Sequence, residues 1–279
     1  MGAKAAVQNL LKRVGLYQRV KSSCAYDLYW RFADPRLLGD RTSEVNVFRH
    51  ILQGFRPGDL IFDIGANIGH KTDVFLRLGA HVVAIDPDRS NQDTLRQKYL
   101  SLRLSKKPVV IVGKAVSDRN GVETMWVDEP GSGKNTLNRK WVDTLRGDAK
   151  RFGRTLHFSG TEEVETTTVE DLIESHGAPF YIKIDVEGHE VHVLRGLRSA
   201  VPYVSFEVNL PEFRPEACQC VELLNGLGAG GTFNYVADCR SGLGVEKWLS
   251  KEEFVYVLNS IDEPCIEVFW RAPAQVETV

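Results

Sequence analysis

The chain has 279 residues, and its composition is that of an ordinary folded protein. Its 35 basic and 37 acidic residues give a net charge of −2, a balance that argues against a nucleic-acid partner. Hydrophobic residues make up 43% and charged residues 26%. The chain therefore carries enough apolar mass to bury a core, which excludes disorder over most of its length.

The cysteines and the distribution of apolar residues indicate a compartment. The cysteine count of 5 is odd and no Cys-x-x-Cys pair occurs, which argues against a disulfide framework and for a reducing environment. No window approaches the roughly 20 apolar residues of a membrane span, and residues 1–4 are not followed by an apolar signal core. We therefore expect a cytoplasmic protein with no membrane span.

The first fifty-five residues differ in pattern from the rest of the chain. Apolar side chains recur there at roughly helical spacing, as at Leu10, Leu11 and Val14. The pattern predicts an N-terminal helical extension over residues 1–55, with the main domain in residues 56–279. Such an extension covers a pocket, adds a layer to the core or supports a homodimer.

From residue 60 onward, apolar segments of strand length alternate with helical segments. This order predicts a doubly wound α/β domain, with helices on both faces of one sheet. The unbroken apolar run within Pro108–Val112 predicts a strand that is buried on both faces. The seven predicted strands are Leu60–Ile64, His81–Asp86, Pro108–Val112, Phe180–Asp185, Tyr203–Val208, Thr232–Val236 and Cys265–Trp270. The predicted helices are Gly69–Leu78, Arg89–Leu104, Val169–His176, His189–Arg198 and Glu216–Leu227.

The middle of the chain is less regular. Gly121–Val127 predicts a further strand, and Pro130–Asn135 is rich in turn-forming residues, which predicts a mobile loop. Basic side chains recur between residues 134 and 154. They form either a solvated surface or a contact for an anionic substrate.

A glycine-containing loop follows the first strand and opens a helix. Gly65 and Gly69 allow a sharp turn and a close approach of the backbone to a ligand. Asp86 lies 21 residues after Gly65, where an acid can accept hydrogen bonds from ribose hydroxyls. The pattern predicts an adenosine cofactor. A Gly-x-Gly-x-x-Gly series for NAD is incomplete, whereas Asp63 could engage an ammonium group, so S-adenosylmethionine is favoured and a nicotinamide-dependent oxidoreductase is the alternative.

Several motifs together resemble the FkbM family of S-adenosylmethionine-dependent methyltransferases. They are Asp-Ile-Gly-Ala-Asn-Ile-Gly at 63–69, Asp86-Pro87, Lys-Ile-Asp-Val-Glu-Gly-His-Glu at 183–190 and Val-Leu-Arg-Gly at 193–196, with support from residues 164–172. The resemblance extends from about residue 60 to residue 207. It implies the class I methyltransferase fold, a Rossmann-like sheet of seven strands whose last pair is antiparallel. It also implies methylation of a hydroxyl oxygen on a small metabolite, such as a polyketide or a sugar.

The resemblance to methyltransferases also implies a cofactor-binding set at the strand ends. Ligands of open α/β sheets gather at the carboxyl ends of the strands, so these positions are expected to converge. The set comprises Asp63, Gly65, Asn67 and Gly69 around the methionine part, Asp86 at the ribose, Ser117 and Asp118 near the adenine, and Asp185 beside the methyl-bearing sulfur.

A hydroxyl that receives a methyl group must lose its proton, so a general base is expected. Asp185 and Glu187 are the preferred catalytic candidates, with His189, whose ordinary pKa suits base chemistry, as a helper. Glu187 could instead cap the following helix. A divalent metal held by Asp185, Glu207 and Asn209 is a less favoured alternative. The expected partner is a small hydroxylated molecule, with an anionic one as an option; a binding module without catalysis is a further reading.

Overall fold

The computed structural model describes residues 35–100, 109–148, 151, 155–237 and 242–273. The expected helical extension over residues 1–55 therefore lies outside the described residues up to residue 34. From there a helix runs over Pro35–Ile51, and its side chains are described from residue 43 onward. None of the described helices combines the length and the apolar character that a bilayer crossing requires.

The described elements alternate as the sequence predicts. The strands are β1 (Leu60–Ile64), β2 (His81–Ile85), β3 (Val109–Val112), β4 (Ala115–Val116), β5 (Gly121–Val127), β6 (Gly160–Thr167), β7 (Tyr181–Ile184), β8 (Tyr203–Asn209), β9 (Thr232–Val236) and β10 (Cys265–Arg271). The helices are α1 (Pro35–Ile51), α2 (His70–Leu78), α3 (Arg89–Lys98), α4 (Arg139–Gly147), α5 (Val169–His176), α6 (Glu190–Arg195), α7 (Arg214–Leu227) and α8 (Lys251–Ser260).

One sheet of seven strands organises the domain. Its order is β3-β2-β1-β7-β8-β10-β9, in which β10 runs antiparallel to both of its neighbours and the other pairings are parallel. This is the strand order of the class I methyltransferase fold. The structure thus confirms the seven predicted strands, the antiparallel last pair and the doubly wound α/β class.

Helices cover both faces of the sheet because successive residues of each strand point to opposite sides. In β1, Ile61 packs with Phe48 of α1 and Phe75 of α2 on one face. Phe62, the next residue, belongs to the core on the other face, which Leu224 of α7 also joins. Parallel strands buried on both faces read as continuous apolar runs, which is why the sequence locates them well.

The strand β3 departs from the sequence prediction. Its apolar run predicts burial on both faces, but Val110 is 44% exposed. The reason is position, because β3 lies at the edge of the sheet and, among the described strands, pairs with β2 alone. An apolar run shows that a segment is extended and does not show where in the sheet it lies.

The strand predicted at Gly121–Val127 is confirmed as β5, but the second sheet that it joins and two helices were not predicted. The strands β4, β6 and β5 form a three-stranded sheet in that order. Helix α4 follows the cap residue Asn138 and buries Trp141 and Leu145 on one face. This apolar spacing is short and lies between basic residues, so the sequence pattern did not indicate a helix there. Helix α8 has a capping box between Ser250 and Glu253, a signal that the sequence does contain.

The loop between β7 and α6 is held in shape by Glu190. Helix α6 begins at Glu190, one residue later than predicted. The Glu190 Oε1 accepts hydrogen bonds from the backbone amides of Val186 at 3.2 Å and Gly188 at 3.1 Å. Between these two residues, Glu187 has a positive φ of 54°. Residues other than glycine rarely adopt this backbone conformation unless neighbouring contacts, here the hydrogen bonds to Glu190, hold it. Burial raises the pKa of the Glu190 carboxyl to about 8.

A change of Glu190 to Gln should flatten the pH dependence of stability. The folded protein retains the Glu190 proton up to about pH 8, whereas the unfolded chain releases it near its ordinary pKa of 4.5. Stability is therefore lost as the pH rises through this window. E190Q keeps the accepting oxygen and removes the ionisation, so its free energy of unfolding should fall less between about pH 5 and 8. Denaturant unfolding at several pH values measures this.

The exposed Glu174, changed to Gln, is the matched control and should keep the wild-type pH slope. E190A, which also removes the acceptor, should lose about 1–3 kcal/mol relative to E190Q. An E190Q slope equal to that of the wild type would contradict this account of Glu190.

Candidate active site

A cavity of about 400 Å³ opens at the carboxyl ends of β1, β2, β7 and β8. Ligand pockets of α/β sheets are expected at this edge. The residues that follow β1 form one wall, and the residues that follow β7 form another. A segment between β5 and α4, residues 132–137, lies against the cavity and is called the roof here.

The glycine loop after β1 packs tightly against the loop after β7. Gly65 has a φ of +80°, and a Cβ there would overlap the backbone oxygen of Asp185. The amides of Gly65 and Ala66 both donate to the Ile85 oxygen at 3.0 Å, which ties the loop to the end of β2. A residue with a side chain is excluded at Gly65 by both the backbone angle and the contact.

Asp86 lines the cavity at the end of β2 and organises its surroundings. Its Oδ2 accepts from the Asn67 amide at 2.8 Å, and its Oδ1 accepts from the Asp88 amide at 2.9 Å and from the Asn91 side chain at 3.2 Å. Burial raises the pKa of Asp86 to about 6, although these hydrogen bonds stabilise the ionised form. The carboxyl therefore combines a structural role with a place in the cavity wall.

Asp63 lies deeper than the sequence suggests. Its side chain is fully buried, and the described residues that line the cavity do not include it. The Thr72 hydroxyl donates to Oδ2 at 2.5 Å, while Oδ1 has no hydrogen-bond partner among the described residues. Burial raises the pKa of Asp63, and the Lys183 ammonium group opposes this rise. In this structure Asp63 thus influences the cavity through Lys183, which does line it.

The roof is held at both ends, although its composition predicts a mobile loop. Asp88 Oδ2 accepts from the Gly131 amide, just before the roof, at 2.8 Å and from the Asn135 side chain at 2.7 Å. Next to Asn135, the Thr136 hydroxyl donates to the Glu187 backbone oxygen at 2.8 Å. Between Gly131 and Asn135, Gly133 lies so close to Asn67 that an added Cβ would be 2.9 Å from the Asn67 Nδ2.

Three acids meet on the wall formed by the loop after β7 and the end of β8. Oxygen atoms of Asp185, Glu187 and Glu207 lie within 4.8 Å of one another. We call these residues the acid cluster. Sequence analysis places Asp185 and Glu187 in the catalytic set and Asp185 and Glu207 in the metal alternative, and the structure brings all three together. Asn209, the remaining residue of that alternative, donates from its amide to Glu207 Oε1 at 3.5 Å.

Two lysines already balance much of the charge of the acid cluster. Lys183 Nζ donates to Asp185 Oδ2 at 2.9 Å, and Lys134 Nζ, from the roof, donates to Glu187 Oε1 at 2.6 Å. The other Glu187 oxygen accepts from the Trp141 indole at 3.0 Å. These ammonium groups already bind carboxylate oxygens that a divalent cation would need as ligands, so the geometry disfavours the metal alternative.

The acids of the cluster differ in pKa. Burial opposes ionisation of Asp185, but the Lys183 ammonium group outweighs it and lowers the pKa of that carboxyl. Burial raises the pKa of Glu187, with Asp185 adding to the rise and Lys134 opposing it. Burial, followed by repulsion from Asp185 and Glu187, raises the pKa of Glu207 to about 8. Such a separation of neighbouring carboxyls is a recurrent feature of acid–base sites.

His189 lines the cavity but its ring is engaged by neighbours. Its Nε2 lies 3.1 Å from the Ser117 hydroxyl, which also donates to Glu123 at 2.7 Å. The ring stacks on His192 with centroids 4.3 Å apart. Burial, together with His192, lowers the pKa of His189 to about 4, so the imidazole is neutral at neutral pH.

The predicted adenine contacts lie beside the cavity wall rather than in it. Ser117 is fully buried against His189, and Asp118 forms an ion pair with Arg119 at 3.5 Å. The wall itself is formed by residues 114–116 together with Met125. Sequence analysis did not name these residues, although residues 114–116 directly precede Ser117 in the chain.

Most described residues of the basic stretch pair within the protein. Lys140 Nζ lies 2.5 Å from Glu216, and Arg151 lies 2.7 Å from Glu212. Lys134 pairs with Glu187 of the acid cluster, as described above. Lys150 and Arg154 lie outside the described residues. The stretch therefore supplies internal ion pairs and one cavity residue.

Comparisons with known proteins agree with this architecture. Residues 63–236, more than half of the chain, match the family model of the methyltransferase FkbM domain. The hexuronic acid methyltransferase AglP of Haloferax volcanii is 27% identical over 181 residues, which cover 64% of each protein. The match thus spans less than two thirds of that relative. Ribosomal RNA small subunit methyltransferase A of Chlamydia abortus is 36% identical over 62 residues, 22% of each protein.

Among solved structures, a TehB-like SAM-dependent methyltransferase from Corynebacterium glutamicum matches with a TM-score of 0.40 and 10% identity, over 83% of this chain and 88% of that one. The fold is identified from the strand order itself, and the family from the sequence match. The chain belongs to the FkbM family of S-adenosylmethionine-dependent methyltransferases.

Proposed function

We propose that the protein transfers a methyl group from S-adenosylmethionine to a hydroxyl oxygen of a small sugar-like acceptor. The observation that carries the proposal is the cavity in which the glycine loop and Asp86 face the acid cluster. When bound, S-adenosylmethionine would supply an activated methyl group on a positively charged sulfur. The residues of the chain hold it, orient the acceptor and exclude water.

The donor fits what the cavity offers. Asp86 presents a buried carboxylate at the end of β2, as a ribose requires, and the walls near residues 114–116 and Met125 are largely apolar, as an adenine requires. Gly65, Asn67 and Gly69 would surround the methionine part. Asp63, which does not line the cavity, would act on this part through the charge of Lys183. Asp185 would lie towards the sulfonium, whose positive charge a carboxylate stabilises. Ser117 and Asp118 would support the adenine wall from behind.

Replacing Asp86 by Ala should weaken S-adenosylmethionine binding by about 10- to 100-fold, since a hydrogen bond to a charged group contributes roughly 1.5–3 kcal/mol. Calorimetry measures this, with NAD as the competing cofactor that should bind far more weakly. The matched control is Asp93→Ala, because Asp93 lies on α3 with its side chain 71% exposed. Thermal unfolding without ligand checks that the variants are folded. An unchanged affinity in D86A would remove the ribose assignment, and a preference for NAD would favour an oxidoreductase.

Donor binding by the wild type should weaken as the pH falls below about 6, the pKa of Asp86. Ribose hydroxyls donate to the ionised carboxylate, so protonation of Asp86 competes with binding. Protonation of Asp86 should therefore lower the affinity progressively below this pH. Calorimetric titrations between about pH 4.5 and 7.5 test this, and the Asp86→Ala variant should lack this part of the decline. A wild-type affinity that does not change over this range would exclude Asp86 as a donor contact.

The acceptor is proposed to be a uronic acid or a similar hydroxylated anion. The name of the Haloferax relative gives hexuronic acid as the substrate of that protein. In this chain, Lys71 at the start of α2 lines the cavity, and its ammonium group pairs with Glu44 of α1. A carboxylate on the acceptor would compete with Glu44 for this ammonium group, which supports an anionic sugar over a neutral one.

A uronic acid has two kinds of oxygen that could be methylated. A carboxylate oxygen needs no base, whereas a hydroxyl must lose its proton. Because an acid cluster lines the cavity, methylation of the hydroxyl is proposed. Asp185 and Glu187, whose oxygens are bound by Lys183 and Lys134, would fix the charge and shape of the site. His189 would assist in orienting the acceptor.

Methyl-labelled S-adenosylmethionine, incubated with the protein and a glucuronoside, should give a labelled product that survives mild alkali. An ether is stable under these conditions and a methyl ester is hydrolysed, so the treatment separates the two oxygens. The matching glucoside, which lacks the carboxylate, is the control and should react more slowly. Label lost in alkali would replace hydroxyl methylation by esterification. An equal rate with the glucoside would exclude charge as the basis of recognition.

A further inference from the structure

We propose that Glu207 is the catalytic residue that accepts the proton of the acceptor hydroxyl, and that the positive charge of the bound donor brings it into the ionised form. This assignment rests on the proposed function. Sequence analysis places Glu207 only in a metal site, and it selects Asp185, Glu187 and His189 as catalytic candidates. The structure distinguishes these groups by their partners.

Asp185 and Glu187 of the acid cluster already have strong hydrogen-bond donors. Asp185 accepts from the Lys183 ammonium group at 2.9 Å. Glu187 has both oxygens occupied, one by the Lys134 ammonium group at 2.6 Å and the other by the Trp141 indole at 3.0 Å. A carboxylate bound in this way is a weak proton acceptor, because protonation would break a charge-assisted hydrogen bond.

Glu207 differs from both of these acids. Among the described residues, its hydrogen-bond partners are the Asn209 amide, at a long 3.5 Å, and the Cys265 thiol, which is a weak donor. Its side chain lines the cavity at the end of β8. Oxygen lone pairs of Glu207 therefore remain for a ligand. His189, the remaining candidate, has its Nε2 3.1 Å from the Ser117 hydroxyl.

Charged groups of both signs surround Glu207. Asp185 and Glu187 repel its ionised form, and Lys183 and Lys134 attract it. With burial added, the balance raises the pKa of Glu207 to about 8, so the group is mostly protonated at neutral pH when the cavity holds no cation. On the paired strand β10, Glu267 lies opposite Glu207 in register, and its carboxylate accepts from Tyr181 and Ser205.

A cation in this cavity changes that balance. The donor carries a positive sulfonium, and the demethylated product, S-adenosylhomocysteine, has a neutral thioether instead. In a site of low dielectric constant, one added positive charge stabilises the carboxylate and favours release of its proton. The base would thus be ionised when the donor is bound, and protonated again once the sulfur is neutral.

The chemical step then balances. The hydroxyl oxygen forms a bond to the methyl carbon, and the bond between that carbon and sulfur breaks with its electron pair remaining on sulfur. The hydroxyl proton passes to a carboxylate oxygen of Glu207. The products are a methyl ether, a neutral thioether and protonated Glu207, which is the form that the protein favours without a cation.

The test needs no acceptor. Calorimetry in two buffers of different ionisation enthalpy gives the number of protons released when S-adenosylmethionine or S-adenosylhomocysteine binds. At pH 7, the sulfonium compound should release about half a proton or more in excess of the thioether. In E207Q this excess should disappear while both compounds still bind. E190Q is the matched control and should retain the excess, since Glu190 is a buried glutamate that does not line the cavity.

Each outcome decides the assignment. Equal proton release by the two compounds in the wild type, or an excess that persists in E207Q, would overturn the role of Glu207 alone. Failure of the wild type to bind S-adenosylmethionine would overturn the proposed function and the assignment with it. Chelator-treated protein should behave like untreated protein. Proton release that appears only after Mg²⁺ is added would replace Glu207 by metal-assisted ionisation of the acceptor.

Discussion

The close contact between the loop after β1 and the loop after β7 is the constraint on which the site depends. Gly65 can lie against the Asp185 backbone only because it has no Cβ and accepts a positive φ. This contact joins two halves of different chemistry. One half carries Asp86 and the amide of Asn67, and the other carries the acid cluster. A larger residue at position 65 would separate them, whatever side chains each half retained.

Much of the fold follows from local patterns. Each of the seven strands of the main sheet is an apolar segment of strand length, and the connecting helices have capping or terminating residues such as Gly79. The strand ends therefore locate Asp86 and Asp185 from the sequence alone, because parallel strands present their carboxyl ends at one edge. The edge position of β3 is different, since it depends on which strands pair and not on the composition of the run.

The parts that sequence analysis missed depend on contacts between distant residues. Lys134 and Glu187 are 53 positions apart and belong to segments that no periodicity connects. Ser117 illustrates a second cause: a shift of one to three residues along the chain after β3 separates the cavity-lining residues from one that contacts His189. The motif around residues 183–190 contains two acids of the acid cluster, but it does not show which of them have their oxygens occupied.

The indole of Trp141 gives the acid cluster an optical reporter. The ring is fully buried, lies edge-on to Phe213 with centroids 5.2 Å apart, and donates its N–H to the Glu187 carboxylate. The Arg151 guanidinium group lies 5.1 Å from its centroid on another side. Indole emission responds to the local electric field. The intrinsic fluorescence of Trp141 is therefore coupled to the state of Glu187, and a Trp141→Phe variant separates its emission from that of the other four tryptophans.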